Sequence, residues 1–530
     1  MTATASAPPT AADSGKMNRR EVLEALSGLM MGMFVGILAS TVVANALPRI
    51  ISDLGGSQSV YTWVVTSELL AMTVTVPLWG KMADLYSKKL LIQISLGLFV
   101  VGSLIAGFTP NVEVLIFSRV VQGIGAGGLT ALAMIIMAAM ISPRELGRYA
   151  GLFGAVFGVG TIAGPLIGGV LVDTSWLGWR WCFFIGVPIA LGAILLLQRT
   201  LKLPVVKRQV KIDYLGALLI TAGVSTLLIW STLAGNQFDW LSGWTAGLVT
   251  AGVVLLALAV LVESRAEEPI IPLDIFRNRT VALAIVASIL VGVAMFGGTV
   301  FLSQYFQLSL GKSPTVAGLM SLPMIFGLLV SSTVAGGLIT KYGRWKGYLV
   351  AGSAIMVVSL VLLSTLDAQT SILVLSIYMA LLGIGVGMIM QNLVLAAQND
   401  VPAAELGAVT SALTFFRSMG GTVGVSALGA VLANRVNSLM TEQLGDAAGG
   451  GTEGGGHAVP DLSMLPEPVL RIVQDVYGTA TGDLFLVAAP FAVLALVAVL
   501  FIKEKPLKTK TGAERLEEEE RAAAVGAGMH

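Results

Sequence analysis

Charge is scarce in this chain. Only 12% of its 530 residues are Asp, Glu, Lys or Arg, against about 25% in a typical soluble domain. Cysteine occurs once, at Cys182, which excludes an intramolecular disulfide and a cysteine metal cluster. Histidine occurs twice, at His457 and His530, both in polar stretches, so no histidine is placed to relay protons through an apolar layer. The net charge of +1 offers no footprint for nucleic acid. A signal peptide is not expected either: residues 1–20 are small and polar, and the first apolar run already has spanning length.

What the chain has instead is apolar sequence, 55% hydrophobic with a mean hydropathy of +0.85. About fourteen apolar stretches reach the roughly 20 residues that a helix needs to cross a bilayer. They lie near 25–47, 61–80, 90–109, 112–140, 148–172, 181–199, 213–234, 243–262, 281–308, 315–340, 347–365, 371–398, 406–433 and 482–502. The reading is an all-α multi-pass membrane protein. Lys and Arg sort strongly between the short loops, 16 on one side and 3 on the other. By the positive-inside rule both termini are cytoplasmic. The expected division is a tail over 1–20, a six-helix bundle over 21–200, a basic linker with two inserted helices over 201–263, a second six-helix bundle over 264–503 and a tail over 504–530. The second bundle carries an outer loop over 434–481, glycine-rich and flexible around Gly449 to Gly456. Glu517 to Glu520 read as the solvated face of a short polar helix.

The organising stretch is Pro77 to Ile92, where one apolar run ends at Gly80 and the next begins at Leu90. So short a loop makes its flanking helices an antiparallel pair, and Lys81, Lys88 and Lys89 put it on the cytoplasmic side. Asp84 is expected to meet the positive end of the helix that follows. Residues 336–346 repeat the pattern half a chain later, with Gly336, Lys341, Gly343 and Arg344 in place and Thr340 where the acid would be. Such duplication with the loop on the same side points to two six-span bundles facing one another across a cavity.

Two charges lie deep inside spans. Glu68 and Arg119 each sit about seven residues from the outer end of their helices, roughly 10 Å at 1.5 Å per residue. Equal depth allows them to pair, and an intramembrane charge is functional by default. Three roles for Glu68 stay open: a proton site, a fixed ion pair, or a cation-binding acid in a substrate cavity. Gly123 to Gly128 satisfies a dinucleotide fingerprint, G-x-G-x-x-G, but no strand precedes it. Small residues at this spacing instead let helices approach closely in lipid. Gly311-Lys312-Ser313 lacks the first glycine of a phosphate loop, Phe306 standing there, so no nucleotide site is read.

Several of these stretches carry a family resemblance. Gly80, Ala83, Asp84, Lys88, Lys89 and Leu91 or Ile92 match the loop between spans two and three of major facilitator transporters, with Leu85 and Ser87 departing from its arginine and glycine. Arg119, Gln122 and Gly123 resemble the family's fourth-span motif. Gly154 to Gly169 resembles its antiporter motif, in which Gly164, Pro165, Gly168 and Gly169 match G-P-x-x-G-G. A proline that bends the helix and glycines that let it slide would suit alternating access, and packing alone is the other reading. Thr41 to Pro48, containing Asn45, resembles the first-span signature of drug exporters, with Ala39 where an aspartate is usual. Phe415-Phe416-Arg417 resembles a late-span stretch of the same family.

Six, two and six spans make the layout that of the fourteen-span drug:proton antiporters, which the chain resembles along nearly its whole length. The resemblance implies a major facilitator fold and a bacterial plasma-membrane exporter that exchanges amphipathic, often cationic compounds for protons. It implies a monomer working in the lipid bilayer without a cofactor, and no enzyme activity. Glu68, Arg119 and Asp84 are the expected proton-coupling residues, Glu68 taking over from the missing aspartate. Asn45, Gln122, Gln391, Asn392 and Arg417 are expected to line the substrate cavity, with Met388 and Met390 as adaptable neighbours. Gly80, Lys88, Lys89, Gly154, Gly164, Pro165, Gly168 and Gly169 are expected to carry the conformational change. A dedicated exporter of one natural product or lipid is the alternative.

Overall fold

The structure is a computed structural model. It describes residues 19–54, 58–174, 177–201, 203, 213–234, 237–444 and 466–527. The helices of the first bundle are α1 (Arg19–Asp53), α2 (Gln58–Leu85), α3 (Lys88–Gly107), α4 (Val112–Met140), α5 (Pro143–Asp173), the short α6 (Trp181–Phe184) and α7 (Gly186–Thr200). An inserted pair follows, α8 (Tyr214–Leu233) and α9 (Gly243–Glu263). The second bundle holds α10 (Arg279–Leu308), the short α11 (Pro314–Met320), α12 (Leu322–Tyr342), α13 (Lys346–Leu363), α14 (Ile372–Asn399), α15 (Leu406–Leu444) and α16 (Glu467–Phe501), and α17 (Gly512–Ala527) ends the described chain.

Thirteen stretches among the described residues are long and apolar enough to cross a membrane. The expected fifth span corresponds to α5, many of whose side chains lie outside the described set. The helices start where polar side chains can take up free amides: Ser87, Asn111, Asp213, Asn278 and Ser371 each accept a first-turn N–H.

In the first bundle α4 packs between α2 and α3, and α1 packs on α5 and α7. In the second, α14 packs between α12 and α13, and α10 on α15 and α16. The bundles meet along two seams, α2 against α15 and α5 against α12. The inserted α8 rests on α2 and α15, and α9 packs on α8. The face carrying the 81–89 and 341–346 loops is called the basic face below.

The described residues of the outer loop expected over 434–481 are helical. α15 continues to Leu444 and α16 begins at Glu467. Buried Val473, Val476, Ala480 and Leu484 recur at helical spacing, but Arg471, Gln474, Asp475 and Asp483 between them dilute the hydropathy that marks a span. Gly449 to Gly456, the tail over 1–18 and linker residues 204–212 lie outside the described residues.

The tail after α16 is also built in. Trp345 donates its indole N–H to the Lys505 carbonyl at 3.0 Å, and Asn399 donates to the Pro506 carbonyl at 3.0 Å. Thr511 and Glu514 form a capping box that starts α17. Arg515 is buried and donates to the carbonyls of Gln398 and Val401. The Glu519 carboxylate accepts the Ala403 amide at 3.1 Å, and Gly512 abuts Ala138 and Ala139 at the end of α4. The acidic run therefore has one face that is docked, not solvated.

Candidate functional site

Asp84 does not cap the helix that follows it; Ser87 does, accepting from the Leu90 amide at 3.4 Å. The Asp84 carboxylate reaches across to the second bundle instead. Its two oxygens accept the amides of Gly407 at 2.9 Å and Ala408 at 2.8 Å, the first turn of α15. The reason is geometric: Asp84 still lies within α2, on the side that packs against α15, before the chain turns. There it meets first-turn N–H groups and the positive end of a 39-residue helix. The helices come this close because Gly80 and Gly407 carry no side chain. A Cβ on Gly80 would fall 2.0 Å from Ser411 Oγ, and one on Gly407 2.3 Å from Asp84 Oδ1. Lys88 and Lys81 supply positive charge around the carboxylate. Lys89 donates to the Gln198 carbonyl at 2.6 Å and ties the loop to the end of α7.

The other seam is closed by weaker means. Arg144, at the start of α5, donates to the Thr340 carbonyl near the end of α12 at 3.4 Å. Thr340 occupies the place that Asp84 has in the first loop, so the repeat is preserved in backbone and lost in charge. Lys81, buried at the base of α2, pairs with Glu268 beyond the inserted helices. Neither Arg144 nor Glu268 stands out in the sequence, since both find partners through tertiary packing.

Glu68 and Arg119 are brought together as their equal depth suggests. Arg119 is 2% and Glu68 3% exposed, and Nη2 of the arginine pairs with Oε2 of the glutamate. Two further guanidinium donors go to Gln122 Oε1 at 2.6 Å and the Val64 carbonyl at 3.4 Å. Gln122 then donates to Ser103 Oγ at 2.9 Å. Gln122 is thus a link in a buried chain across α2, α4 and α3, and not a residue of the substrate cavity where it was expected. Gly123 and Gly125 lie against the backbones of α2 and α3, which confirms packing as the role of that glycine run.

Gln391 and Asn392 line a cavity at the interface between the bundles, together with Met134, Met137, Leu146, Val394, Leu395 and Gln398. Its free volume of about 20 Å³ has room for little more than a water. Gln391 Oε1 is buried with no partner, while its Nε2 lies 3.6 Å from Met134 Sδ. Asn392 donates to the Met388 carbonyl at 2.6 Å. The methionines in the cavity come from α4, not from positions 388 and 390 on α14. Arg417 is half-buried within α15, and among the described residues its guanidinium makes no hydrogen bond or ion pair; it is not part of this cavity lining.

In α5, Gly164 lies so close to α1 that a Cβ would fall 2.1 Å from Thr41 Oγ1, and the Thr41 hydroxyl donates to the Gly160 carbonyl at 3.2 Å. Gly158, on the same helix, faces Ile325 of α12. α5 therefore packs against a neighbour within its own bundle and another across the seam. Gly168 is buried; the surroundings of Asn45, Gly154, Pro165 and Gly169 lie outside the described set.

Comparison with known proteins gives the geometry a setting. The profile of the Major Facilitator Superfamily matches residues 29–425. An uncharacterised MFS-type transporter of Mycobacterium tuberculosis is 37% identical over 494 residues, covering 92% of this chain and 70% of that protein. The multidrug transporter protein MdtP of Bacillus subtilis is 35% identical over 430 residues, covering 81% and 78%. Among solved structures, that of the proton:xylose symporter XylE bound to 6-bromo-6-deoxy-D-glucose superposes on 95% of this chain and 99% of its own, with a TM-score of 0.58 at 16% identity. That last likeness is one of fold.

Proposed function

Since the chain belongs to the major facilitator superfamily, and is a transporter on that ground, we propose that it exports amphipathic, often cationic compounds in exchange for protons. It does so as a monomer in a bacterial plasma membrane, with both termini and the basic face in the cytoplasm, and it needs no cofactor and catalyses no covalent reaction. The observation that carries the proton-coupled reading is the buried Glu68–Arg119 pair. The multidrug name of the Bacillus subtilis relative supports the substrate class.

These contacts support the following cycle. With Asp84 on α15 the cytoplasmic side is shut, and the cavity at Gln391 is too small for a drug-sized molecule. A proton reaching Glu68 removes the charge that holds Arg119, and the guanidinium keeps only Gln122 and the Val64 carbonyl. Rearrangement of α2 and α4 follows, and α2 is the helix that also carries Asp84. Release of the Asp84 cap parts the α2–α15 seam and opens the cavity to the cytoplasm, where substrate enters against Gln391 and Asn392. Departure of the proton to the cytoplasm restores the ion pair and the cap, and substrate leaves on the far side.

The test uses purified protein in liposomes, a fluorescent lipophilic cation and an imposed pH gradient as the sole drive. Cation movement that requires the gradient, with protons moving the opposite way and coupling lost in Glu68→Gln, is the expected result. Gradient-driven movement that survives the substitution would move the proton site elsewhere. No cation movement at all would overturn the multidrug reading in favour of a narrow natural-product or lipid exporter.

A further inference from the structure

The inserted helices carry two acids that the transport cycle does not use. Asp213 caps α8, its Oδ1 accepting the Gly216 amide at 2.8 Å. Glu263 ends α9 and is 4% exposed. Its Oε2 accepts the Ile271 amide at 3.0 Å and pins the loop that leads to the second bundle. Each acid has a second oxygen, Asp213 Oδ2 and Glu263 Oε1, that is buried and has no hydrogen-bond partner.

The two orphaned oxygens share one place. Each lies 2.4 Å from the point where a Cβ on Gly216 would sit, so twice that distance at most separates them. The charged groups acting on Glu263 are Asp213 and Lys81, and Lys81 is already engaged with Glu268. Two buried carboxylates so placed would each lack a donor and would repel one another. One proton removes both difficulties, because a carboxylic acid O–H is a donor and the facing carboxylate an acceptor.

We propose that Asp213 and Glu263 share a single proton, which makes the base of the inserted pair a proton-binding site separate from Glu68. Gly216 belongs to the site because any side chain there would occupy the space in which the two oxygens meet. The site neighbours the seam: Lys81 lies on α2, three residues before Asp84, and loss of the proton would leave two negative charges competing with Glu268 for it. The inference does not depend on transport being proton-coupled.

Infrared spectroscopy of the full-length protein in lipid nanodiscs tests it. The wild type carries a protonated-carboxyl band at neutral pH that is lost in Asp213→Asn and equally in Glu263→Gln. In either variant the new amide donates to the remaining carboxylate, so no proton is held. The double variant removes no further band, and Glu68→Gln leaves this one in place. Loss of a different band in each single variant would mean two separately protonated acids. Loss of none would mean that both are ionised around a cation. Either result overturns the shared proton. Both substitutions keep the shape of the side chain, and the comparison of the two single variants decides between one shared proton and two.

Discussion

The Asp84 carboxylate accepts the backbone amide of Gly407, a residue 323 positions further along the chain, at 2.9 Å. One side chain of the first bundle thereby caps a helix of the second. The α2–α15 seam on the basic face is thus held by a charge at one position, beside the Arg144–Thr340 contact of the other seam.

Replacing that charge shifts the conformational balance. Asp84→Asn keeps the shape but leaves one neutral bond where there were two charge-assisted ones, since its amide nitrogen cannot accept the second N–H, a loss of about 1–3 kcal/mol and so roughly a 5- to 150-fold shift toward the state open at the basic face. Distances between spin labels at the basic ends of α2 and α15, measured by electron–electron double resonance, should lengthen. Unchanged distances would show that the cap does not govern closure.

Glu68 and Arg119 are buried together, so removing one member leaves the other charged and alone. Glu68→Ala should destabilise the protein by about 3–5 kcal/mol, read as a lower melting temperature in detergent. Combining Glu68→Leu with Arg119→Leu should recover most of the lost stability while abolishing gradient-driven transport. A melting temperature unaffected by Glu68→Ala would mean that water reaches the guanidinium.

Gly164 has no room to grow. In Gly164→Ala the new methyl group meets Thr41, at a cost of about 1–3 kcal/mol for overpacking. Thr41→Gly in the same chain should return part of it. Thermal stability reports the cost and the rescue; equal melting temperatures for wild type and Gly164→Ala would mean that α1 and α5 separate freely at this point.

Gln391 Oε1 is an acceptor without a donor, which suits a group that binds something passing. Gln391→Leu should leave the empty protein as stable or slightly more so, and weaken substrate by the worth of one hydrogen bond, about 0.5–1.5 kcal/mol or roughly 2- to 10-fold in Kd. Equilibrium binding of a fluorescent substrate measures this. Lower stability with unchanged affinity would assign the side chain to packing.

How much of this was legible in the sequence depends on how local each feature is. Span number, bundle order and the inserted pair follow from apolar run lengths. The Glu68–Arg119 pair was accessible because depth can be counted along two helices from their ends. Asp84 points to α3 in the sequence because sequence shows only the helix next along the chain, while α15 becomes its neighbour through folding. Gln122 was placed in the cavity because its motif does not say which way it faces, and Ser103 decides that. Gln391 and Asn392 were legible as polar groups in an apolar span; Met134 and Met137, on the facing helix, were not distinguishable from lipid-facing methionines. The paired acids Asp213 and Glu263 are 50 residues apart and individually ordinary, one a helix cap and the other a helix end.

The docked tail has a practical corollary for anyone labelling this protein. α17 touches α4 in one bundle and the turn between α14 and α15 in the other. A fluorescent protein or resin-bound tag joined behind it pulls on a segment that bridges the two bundles. A reporter joined ahead of α1 loads one body alone, and is the better choice when turnover is to be measured.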